Sequence, residues 1–488
     1  MSDTNLGAAT IRTKPVNPVG GENAPALTIT LPLLGFDNIP SACPDDDVRL
    51  GKRIDPYYAD IWPVGAKASW VDAASARSQV AAGIGRLPAY LVADEETAAM
   101  KVTDVSRLPA HLNVLSVLDS WRSATGEQLA AFTGLPHLAT GKSKTMTDLF
   151  TTELVDVGIF SNVLFTTRNT ARGALYRLNA GGGFEKHVAP ILTYAEWLST
   201  TAGLKNTIGG GHHDRHNVIT MELALRIAEL CDVGTVVGEK LSSADLHGYS
   251  GLGLPASGAA YNRAADMTVI RNDGARIAIE VTASGGRALE MKVKHWAQLI
   301  ASRRMDESGL TVVFVLIDPD RKDNAGGNRI RNNLFKLVRK TVGEMPGVSF
   351  DRVASRMGVA DWREWFPEPG VVSPSFFELD CERPTGPPEA LWERASFLSE
   401  DDVPFAPDGD WATAVLDNMS MLRSVPHWLK EGRTAPDLHR VQLAAAGLSK
   451  IPVPSISRPE LTPGTREFGK AFGFVADTKP PKRMRLDR

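Results

Sequence analysis

Cysteine is scarce in this sequence, with three residues in 488: Cys43, Cys231 and Cys381. They lie far apart and form no Cys-x-x-Cys pair, which excludes a disulfide framework and a zinc site built from paired thiolates. We therefore expect a protein of a reducing compartment, the cytoplasm.

Long apolar runs and a strong excess of charge of either sign are also missing. No segment approaches about eighteen uninterrupted apolar residues, and the first residues have no apolar core of the signal-peptide type, so we expect no membrane contact. The 54 Lys and Arg residues nearly balance the 57 Asp and Glu residues. The charge of the whole chain therefore neither favours nor excludes a nucleic-acid partner, and only local clusters are informative.

Residues 111–180 have the pattern of three helices followed by two strands. Apolar residues recur at helical spacing in "HLNVLSVLDSWR", and Thr125 with Gln128 three residues later is a capping box that begins a second helix, which ends near Gly134. The stretch "KSKTMTDLFTTELVDVGI" predicts a third helix, and "NVLFTTRNTARGALYRLN" predicts two strands joined by a turn. This order is typical of a winged-helix domain.

A winged helix binds duplex DNA by placing its third helix in the major groove and its wing against phosphates. The residues that would make these contacts are Lys142, Ser143, Lys144, Thr145, Arg168 and Arg172. Winged helices also serve as protein-binding modules, and Asp148, Glu153 and Asp156 reduce the positive charge here. A protein partner is therefore the alternative for this domain.

Two carboxylates lie among apolar residues in "DMTVIRNDGARIAIEVTAS", residues 266–284. Antiparallel pairing around the Asn-Asp-Gly turn, centred on Asp273, would bring Asp266 opposite Glu280. Glu280 interrupts an apolar strand, and a carboxylate in that position needs a partner or an ion to offset its desolvation. The hairpin therefore predicts a site for Mg²⁺ or Mn²⁺, which could act in phosphodiester hydrolysis.

The elements around this hairpin follow the order α-β-β-β-α-β-α over 212–342, which predicts a mixed sheet flanked by helices. This is the order found in the core of PD-(D/E)XK nucleases. In that motif a Lys follows the second acid by two residues, and this sequence has Thr282 there. Lys292 and Lys294 on the next helix are candidates to replace it, with Lys292 slightly preferred.

Other side chains could complete a metal shell or contact phosphate. Glu222 on the first helix and Glu239 at the end of the first strand are candidate metal ligands, although surface carboxylates are usually solvated. In "GGGHHDRHNV", His212 and His216 stand four residues apart and could face one way on a helix, in a metal-binding or phosphate-binding role. The alternative is that these histidines cap and pack the start of the helix.

Several stretches resemble the replication-relaxation family of bacterial plasmids and integrative elements: "HHDRHNVITMELALRIAE", "VVGEK" and "IAIEVTASGGRALEMKVKHW", preceded by the winged-helix pattern. That family is similar to mobilization relaxases of the MobC type. The resemblance implies a winged-helix domain joined to a nuclease-like domain that acts on a transfer origin with a divalent metal. By position it matches Asp266 and Glu280 to the acidic pair and His212 to a His ahead of the first helix. Thr282 departs from the family pattern, which puts cleavage in doubt.

The predicted fold class is α/β, with α+β character overall. The expected segments are a disordered stretch (1–30), an N-terminal extension (31–105), a winged helix (106–205), a PD-(D/E)XK-like mixed-sheet domain (206–345), an irregular, mostly helical appendage (346–474) and a basic tail (475–488). Within the extension, the stretch at 68–87 predicts a helix.

Three functions remain open from the sequence. The first is metal-dependent nicking of double-stranded DNA at an origin of transfer or replication, with accessory or coupling proteins as further partners. The second is non-catalytic DNA binding by a regulator that keeps a degenerate nuclease fold, which Thr282 favours. The third is an adaptor role in a DNA transfer or defence assembly.

Overall fold

The computed structural model describes residues 33–58, 68–83, 94–140, 143–160, 174–202, 213–242, 264–317, 325–385, 391–406, 415–416 and 419–430. The fold is mixed α/β. Its helices are α1 (Ala73–Ala81), α2 (Glu95–Thr103), α3 (Leu108–Trp121), α4 (Gly126–Thr133), α5 (Lys144–Thr151), α6 (Tyr194–Thr201), α7 (Asp214–Leu230), α8 (Arg287–Ser302), α9 (Met305–Ser308), α10 (Ala325–Glu344) and α11 (Trp362–Trp365). Its strands are β1 (Leu34–Gly35), β2 (Ala68–Val71), β3 (Ser123–Thr125), β4 (Val155–Phe160), β5 (Leu175–Leu178), β6 (Thr235–Gly238), β7 (Met267–Ile270), β8 (Arg276–Thr282), β9 (Leu310–Leu316), β10 (Gly347–Val348), β11 (Asp351–Arg352), β12 (Met357–Asp361), β13 (Val371–Val372), β14 (Asp380–Thr385) and β15 (Leu391–Ser396).

A seven-stranded mixed sheet is the centre of the fold, with the strand order β15-β14-β12-β9-β8-β7-β6. Strands β6, β7 and β8 form an antiparallel meander, β8, β9 and β12 run parallel, and β14 is antiparallel to both of its neighbours. The order α-β-β-β-α-β-α that the sequence predicts is present as α7-β6-β7-β8-α8-β9-α10, with the short α9 added before β9.

The two faces of the sheet are covered by different helices. Alternate residues of a strand point to opposite faces. Ile279 and Val281 of β8 therefore join the apolar cluster that contains α7 and helices α3 to α5, whereas Ala278 joins the cluster that contains α8 and α10. Glu280 has the same parity as Ala278, so it belongs to the face under α8 and α10.

A second sheet, of four strands in the order β2-β4-β5-β3, packs with helices α3, α4 and α5. The predicted capping box is confirmed: the side chain of Thr125 accepts the amide N–H of Gln128, Gln128 reaches back to the amide of Thr125, and α4 ends at Gly134 in the left-handed conformation. The predicted third helix was too long: it stops at Thr151, and Val155–Phe160 form β4 because they pair with β2 and β5. The first strand of the predicted pair, which begins at residue 162, lies outside the described residues.

The region after residue 345 differs from its prediction as a mostly helical appendage. Strands β12, β14 and β15 lie in the same sheet as β6 to β9, with Val359 of β12 beside Phe314 of β9. Short strands rich in Pro and charged residues carry a weak periodic pattern, and their stability comes from pairing with an edge that the sequence alone does not reveal. The boundary at 345 therefore does not separate two sheets.

The N-terminal extension is tied to α7 by buried charges. Arg53 donates to Glu222 at 3.0 Å and to Glu229 at 2.5 Å, and the amide of Leu50 donates to the second oxygen of Glu229 at 2.8 Å. The helix predicted over 68–87 is shorter, because its first four residues form β2, which pairs with β4.

No helix in the part of the chain that the structure describes is both long and apolar enough to cross a lipid bilayer. The predicted disordered start (1–30) and basic tail (475–488) lie outside the described residues.

Candidate active site

The hairpin β7–β8 brings the two predicted carboxylates together. Its register pairs Met267 with Ile279 and Ile270 with Arg276, so one further step puts Asp266 opposite Glu280, as predicted. The amide of Asp266 donates to the carbonyl of Ile279 at 3.0 Å, which extends the ladder to that position. Both carboxylates thus lie at the end of β8 that leads into α8.

Glu280 is held by two donors from α8. Its side chain is only 1% exposed. The ammonium group of Lys292 donates to Oε2 at 2.5 Å, and the indole N–H of Trp296 donates to Oε1 at 2.6 Å. Lys292 and Trp296 are four residues apart and therefore lie on one face of the helix, above the same carboxylate.

Asp266 is held by His216, which helix α7 brings to the end of the sheet. One carboxylate oxygen lies 3.0 Å from Nε2 of His216, and the other accepts the amide N–H of Val281 at 2.7 Å. Lys292 also approaches Asp266, at 4.0 Å from Oδ2. One lysine therefore lies between two carboxylates, and its side chain keeps 32% exposure to solvent.

The two carboxylates differ in proton affinity. Burial, and then the negative charge of Asp266, raise the pKa of Glu280 to about 7, although Lys292 and Trp296 act in the opposite direction. Burial alone would raise the pKa of Asp266, but the charge and hydrogen bond of His216, assisted by Lys292 and the Val281 amide, lower it below its ordinary value. A single proton on the pair therefore resides on Glu280.

The carboxylates also shift the pKa values of the two basic side chains that contact them, Lys292 and His216. Burial disfavours the charged form of Lys292, but the nearby Glu280 and Asp266 raise its pKa above the ordinary value. The same opposition holds for His216, where the charge of Asp266 and the hydrogen bond to it outweigh burial and raise the pKa. The carboxylates therefore favour the cationic form of both side chains.

Of the two candidate lysines, Lys292 reaches the carboxylates and Lys294 does not. Lys294 is exposed on α8, because two residues of helix rotate it away from the sheet. Thr282, which stands where the nuclease motif has Lys, is buried two residues beyond Glu280, and its hydroxyl is 3.4 Å from the carbonyl of Glu280.

The two further candidate ligands are engaged elsewhere. Glu222 is buried against Arg53 at 3.0 Å and Arg226 at 3.4 Å, and these guanidinium groups occupy the place that a cation would need. Glu239 forms an ion pair with Arg122, although its charge is near enough to raise the pKa of Lys292. The expectation that either residue completes a shell around Asp266 and Glu280 is therefore not met by this arrangement.

Three side chains of the predicted DNA-contacting set lie at the start of α5. Ser143 is the buried N-cap residue and accepts the amide of Met146 at 3.4 Å, whereas Lys144 in the first turn is exposed. Thr145 is half-buried, and its hydroxyl lies 3.1 Å from Nε2 of His137. The remaining members of the set, Lys142, Arg168 and Arg172, lie outside the described residues, as does His212.

Two features of this site escaped the sequence reasoning. Trp296 was assigned no role from the sequence, yet its N–H donates to Glu280; its position four residues after Lys292 was the available signal. His216 was considered with His212, but its partner in the structure is Asp266, directly before β7 and 50 residues away. Only tertiary contact joins these two.

The carboxylates of Asp266 and Glu280 offer oxygen donors, which hard cations such as Mg²⁺ prefer. Within the described residues, no three His, Cys, Asp or Glu side chains form a group that could hold a metal ion, so the candidate site offers Asp266 and Glu280 alone. Mg²⁺ commonly takes one or two protein carboxylates and fills its remaining positions with water and phosphate oxygens. An ammonium group already lies between the two carboxylates, as expected where two negative groups converge. A metal ion would therefore have to displace this ammonium group, and water and phosphate oxygens would supply its remaining ligands.

Comparison with protein-family models, curated proteins and solved structures finds no match for this chain.

Proposed function

We propose that this protein binds double-stranded DNA and nicks it in a reaction that depends on Mg²⁺ or Mn²⁺. The observation that carries the proposal is the group Asp266, Glu280 and Lys292: two converging carboxylates and a partly exposed lysine at the end of a strand. The resemblance to the replication-relaxation family adds the expectation that the DNA belongs to a mobile element and that accessory or coupling proteins take part.

The topology around the site supports a PD-(D/E)XK-like fold for the sheet domain. The meander β6–β7–β8 followed by parallel β9, with α7 on one face and α8 on the other, has the order of that core. The segment α3-β3-α4-α5-β4-β5 likewise has the order of a winged helix. On this proposal α5 docks on the DNA, with Lys144 and Thr145 near its start.

The side chains of the site have distinct roles in this proposal. A bound divalent cation would polarise the scissile phosphate and lower the pKa of the attacking water. Asp266 and Glu280 would hold it, and His216 and Trp296 keep these carboxylates in place. Lys292 fills the role of the missing motif lysine, because it can shift from the carboxylates toward the negative charge that develops on phosphate.

A non-catalytic DNA-binding protein is the second candidate. It is favoured by the fact that both oxygens of Asp266 and of Glu280 already have partners within the protein. In that case Asp266, Glu280, His216 and Lys292 form an ionic cluster that closes the end of the sheet, and the protein acts by holding DNA.

A nicking assay distinguishes the two candidate functions. Its substrate is supercoiled plasmid that carries the DNA flanking the protein's own gene. We expect purified protein to produce open-circle plasmid with Mg²⁺ or Mn²⁺ but not with EDTA, and Glu280→Gln, which keeps the shape but not the charge, to lose this activity. A gel shift without nicking, the same in both proteins, would refute the enzymatic proposal and favour the second candidate.

A further inference from the structure

Helix α10 carries a basic stripe on the side that faces solvent. The segment Ala325–Glu344 holds five basic residues and one acidic residue, in a chain whose net charge is −3. Three of the basic residues, Arg329, Lys336 and Lys340, are exposed and stand seven and four residues apart. At about 100° of rotation per residue these positions fall within an arc of roughly 40°.

The opposite side of α10 is apolar and fixes the orientation of the stripe. Leu334, Val338 and Val342 are buried in the cluster that α10 shares with α8 and the sheet. They lie about 180° from Lys336 and Lys340 on the helix, so the basic stripe cannot rotate into the protein. Lys340 is 61% exposed, and its ion pair with Glu344, at 3.7 Å, is an exposed surface pair.

The stripe lies on the same layer as the candidate active site. Helix α10 packs beside α8, which carries Lys292. Asn333, next to the stripe, borders the loop that connects β8 to α8: a Cβ atom added to Gly285 would lie 3.7 Å from its side-chain nitrogen. A chain of phosphates that reaches Lys292 along this face would therefore pass α10.

Within the described residues, α10 exposes no large apolar side chain, and this favours a polyanion over a protein partner for the basic stripe. The large apolar side chains that are exposed in the described residues are Val80, Met100, Val105, Val348, Phe350 and Leu391, and none of them belongs to α10. Protein interfaces usually place aromatic or apolar anchors at their centre. A phosphate backbone requires only cationic side chains that solvent can reach, which this stripe supplies.

We propose that Arg329, Lys336 and Lys340 bind the sugar-phosphate backbone of duplex DNA beside the candidate active site. The inference rests on the proposed function for its choice of DNA. The stripe rises about 16 Å from Arg329 to Lys340 at 1.5 Å per residue. Since phosphates of one strand advance about 3.4 Å along the DNA axis, the stripe spans about five base-pair steps. The DNA would thus contact the face of α8 and α10 as well as the winged helix, which packs on the opposite face of the sheet.

The salt dependence of DNA binding tests this surface. The variant Arg329→Glu/Lys336→Glu/Lys340→Glu is compared with the wild type and with Arg49→Glu/Lys52→Glu/Lys186→Glu, which reverses one half-exposed and two exposed charges outside α10. Fluorescence anisotropy of a labelled duplex of about 30 base pairs is measured in EDTA between about 50 and 200 mM salt. Circular dichroism checks that both variants are folded.

We expect the α10 variant to bind at least about tenfold more weakly at low salt and to lower the slope of log K against log salt by about two to three, with a change below about one in the control. Equal slopes in the α10 variant and the wild type, equal losses in both variants, or no salt-dependent binding by the wild type would each overturn the inference. EDTA prevents cleavage, so the result is independent of the chemistry. If the α10 variant behaves as expected while no nicking is found with metal, the stripe stands and the proposed enzyme fails.

Discussion

Trp296 and Lys292 illustrate how single side chains control the charge on a buried carboxylate. Glu280 is almost completely buried, and the hydrogen bonds from these two donors favour its ionised form, whereas burial favours its protonated form. Because the opposing effects leave its pKa near neutrality, the removal of one donor has a consequence that depends on pH.

Trp296→Phe should destabilise the protein more at pH 8 than at pH 5. The variant loses the N–H that serves Glu280, and a lost hydrogen bond to a buried group costs about 1–3 kcal/mol, at the upper end for a charged acceptor. Urea unfolding at both pH values measures the loss. The control Trp121→Phe removes a donor to the neutral carbonyl of Ser424, so its loss should not change with pH. Equal losses for Trp296→Phe at the two pH values would contradict this account of Glu280.

Glu364 is a second buried carboxylate, in the short helix α11 that follows β12. Burial, and then the charge of Asp361, raise its pKa from 4.5 to about 7, while Arg331 and Arg394, both 3.7 Å away, oppose the shift. A carboxylate whose pKa is higher in the folded than in the unfolded protein contributes stability that is complete below about pH 4.5 and is lost as the pH rises to about 7.

Glu364→Gln removes this titration. We expect the free energy of unfolding of the wild type to fall, relative to that of the variant, by on the order of 2–3 kcal/mol between pH 4.5 and 7. Denaturant unfolding of both proteins across this range measures the difference. A difference that is constant with pH, or one that grows in favour of the wild type, would show that Glu364 is charged without penalty in the folded state.

Helices and strands that are specified by neighbouring residues could be predicted from the sequence. The capping box of α4 needs only Thr125 and Gln128, and the register of the β7–β8 hairpin needs only its turn. Elements whose partners are distant were misjudged. The apolar residues from Leu154 onward continue a helical spacing, yet β4 forms there because β2 and β5 provide hydrogen-bonding edges.

Thr125→Ala should destabilise the protein by about 1 kcal/mol, because it removes the side-chain acceptor for the amide of Gln128 at the start of α4. Thr103→Ala is the matched control. Its hydroxyl bonds only to carbonyls of the preceding turn, so we expect a change within about 0.5 kcal/mol. Thermal and urea unfolding measure both changes. A loss for Thr125→Ala no larger than that of the control would show that α4 does not depend on its cap.

The whole sheet depends on strands from both sides of residue 345, a dependence that the sequence pattern did not indicate. Gly358 of β12 lies against β14 and the chain after β15: a Cβ atom there would lie 2.7 Å from the ring of Phe397 and 3.1 Å from Cβ of Cys381. These contacts hold the C-terminal strands together, and β12 joins them to the layer of the candidate active site by pairing in parallel with β9.

Gly358→Ala should therefore destabilise the protein by about 1–3 kcal/mol through overpacking, although alanine is otherwise a mild change. Gly343→Ala is the opposite case. It lies in α10 with no atom within 4 Å of an added Cβ, so it should stabilise the helix by about 0.5–1 kcal/mol. Unfolding curves followed by tryptophan fluorescence measure both. A neutral Gly358→Ala would mean that Phe397 and β14 move aside to admit the methyl group at no cost.

The candidate active site depends partly on local patterns that the sequence shows and partly on tertiary contacts that it does not. The pairing of Asp266 with Glu280 and the choice of Lys292 over Lys294 follow from hairpin and helix geometry, which a sequence can indicate. The contacts from His216 on α7 and Trp296 on α8 depend on how these helices cross the end of the sheet, and no local pattern encodes that.

The most direct test measures how fast Lys292→Ala and Lys294→Ala nick supercoiled plasmid. The assay contains Mn²⁺ and protein at concentrations that saturate DNA binding, and it compares the same change at two positions of one helix. Lys292 contacts Glu280 and lies near Asp266, whereas Lys294 faces solvent. We predict a rate at least about 100-fold lower for Lys292→Ala, the size of effect expected for one group that stabilises developing charge, and a rate near that of the wild type for Lys294→Ala. Equal rates for the two variants would contradict the assignment of Asp266, Glu280 and Lys292 as the catalytic site.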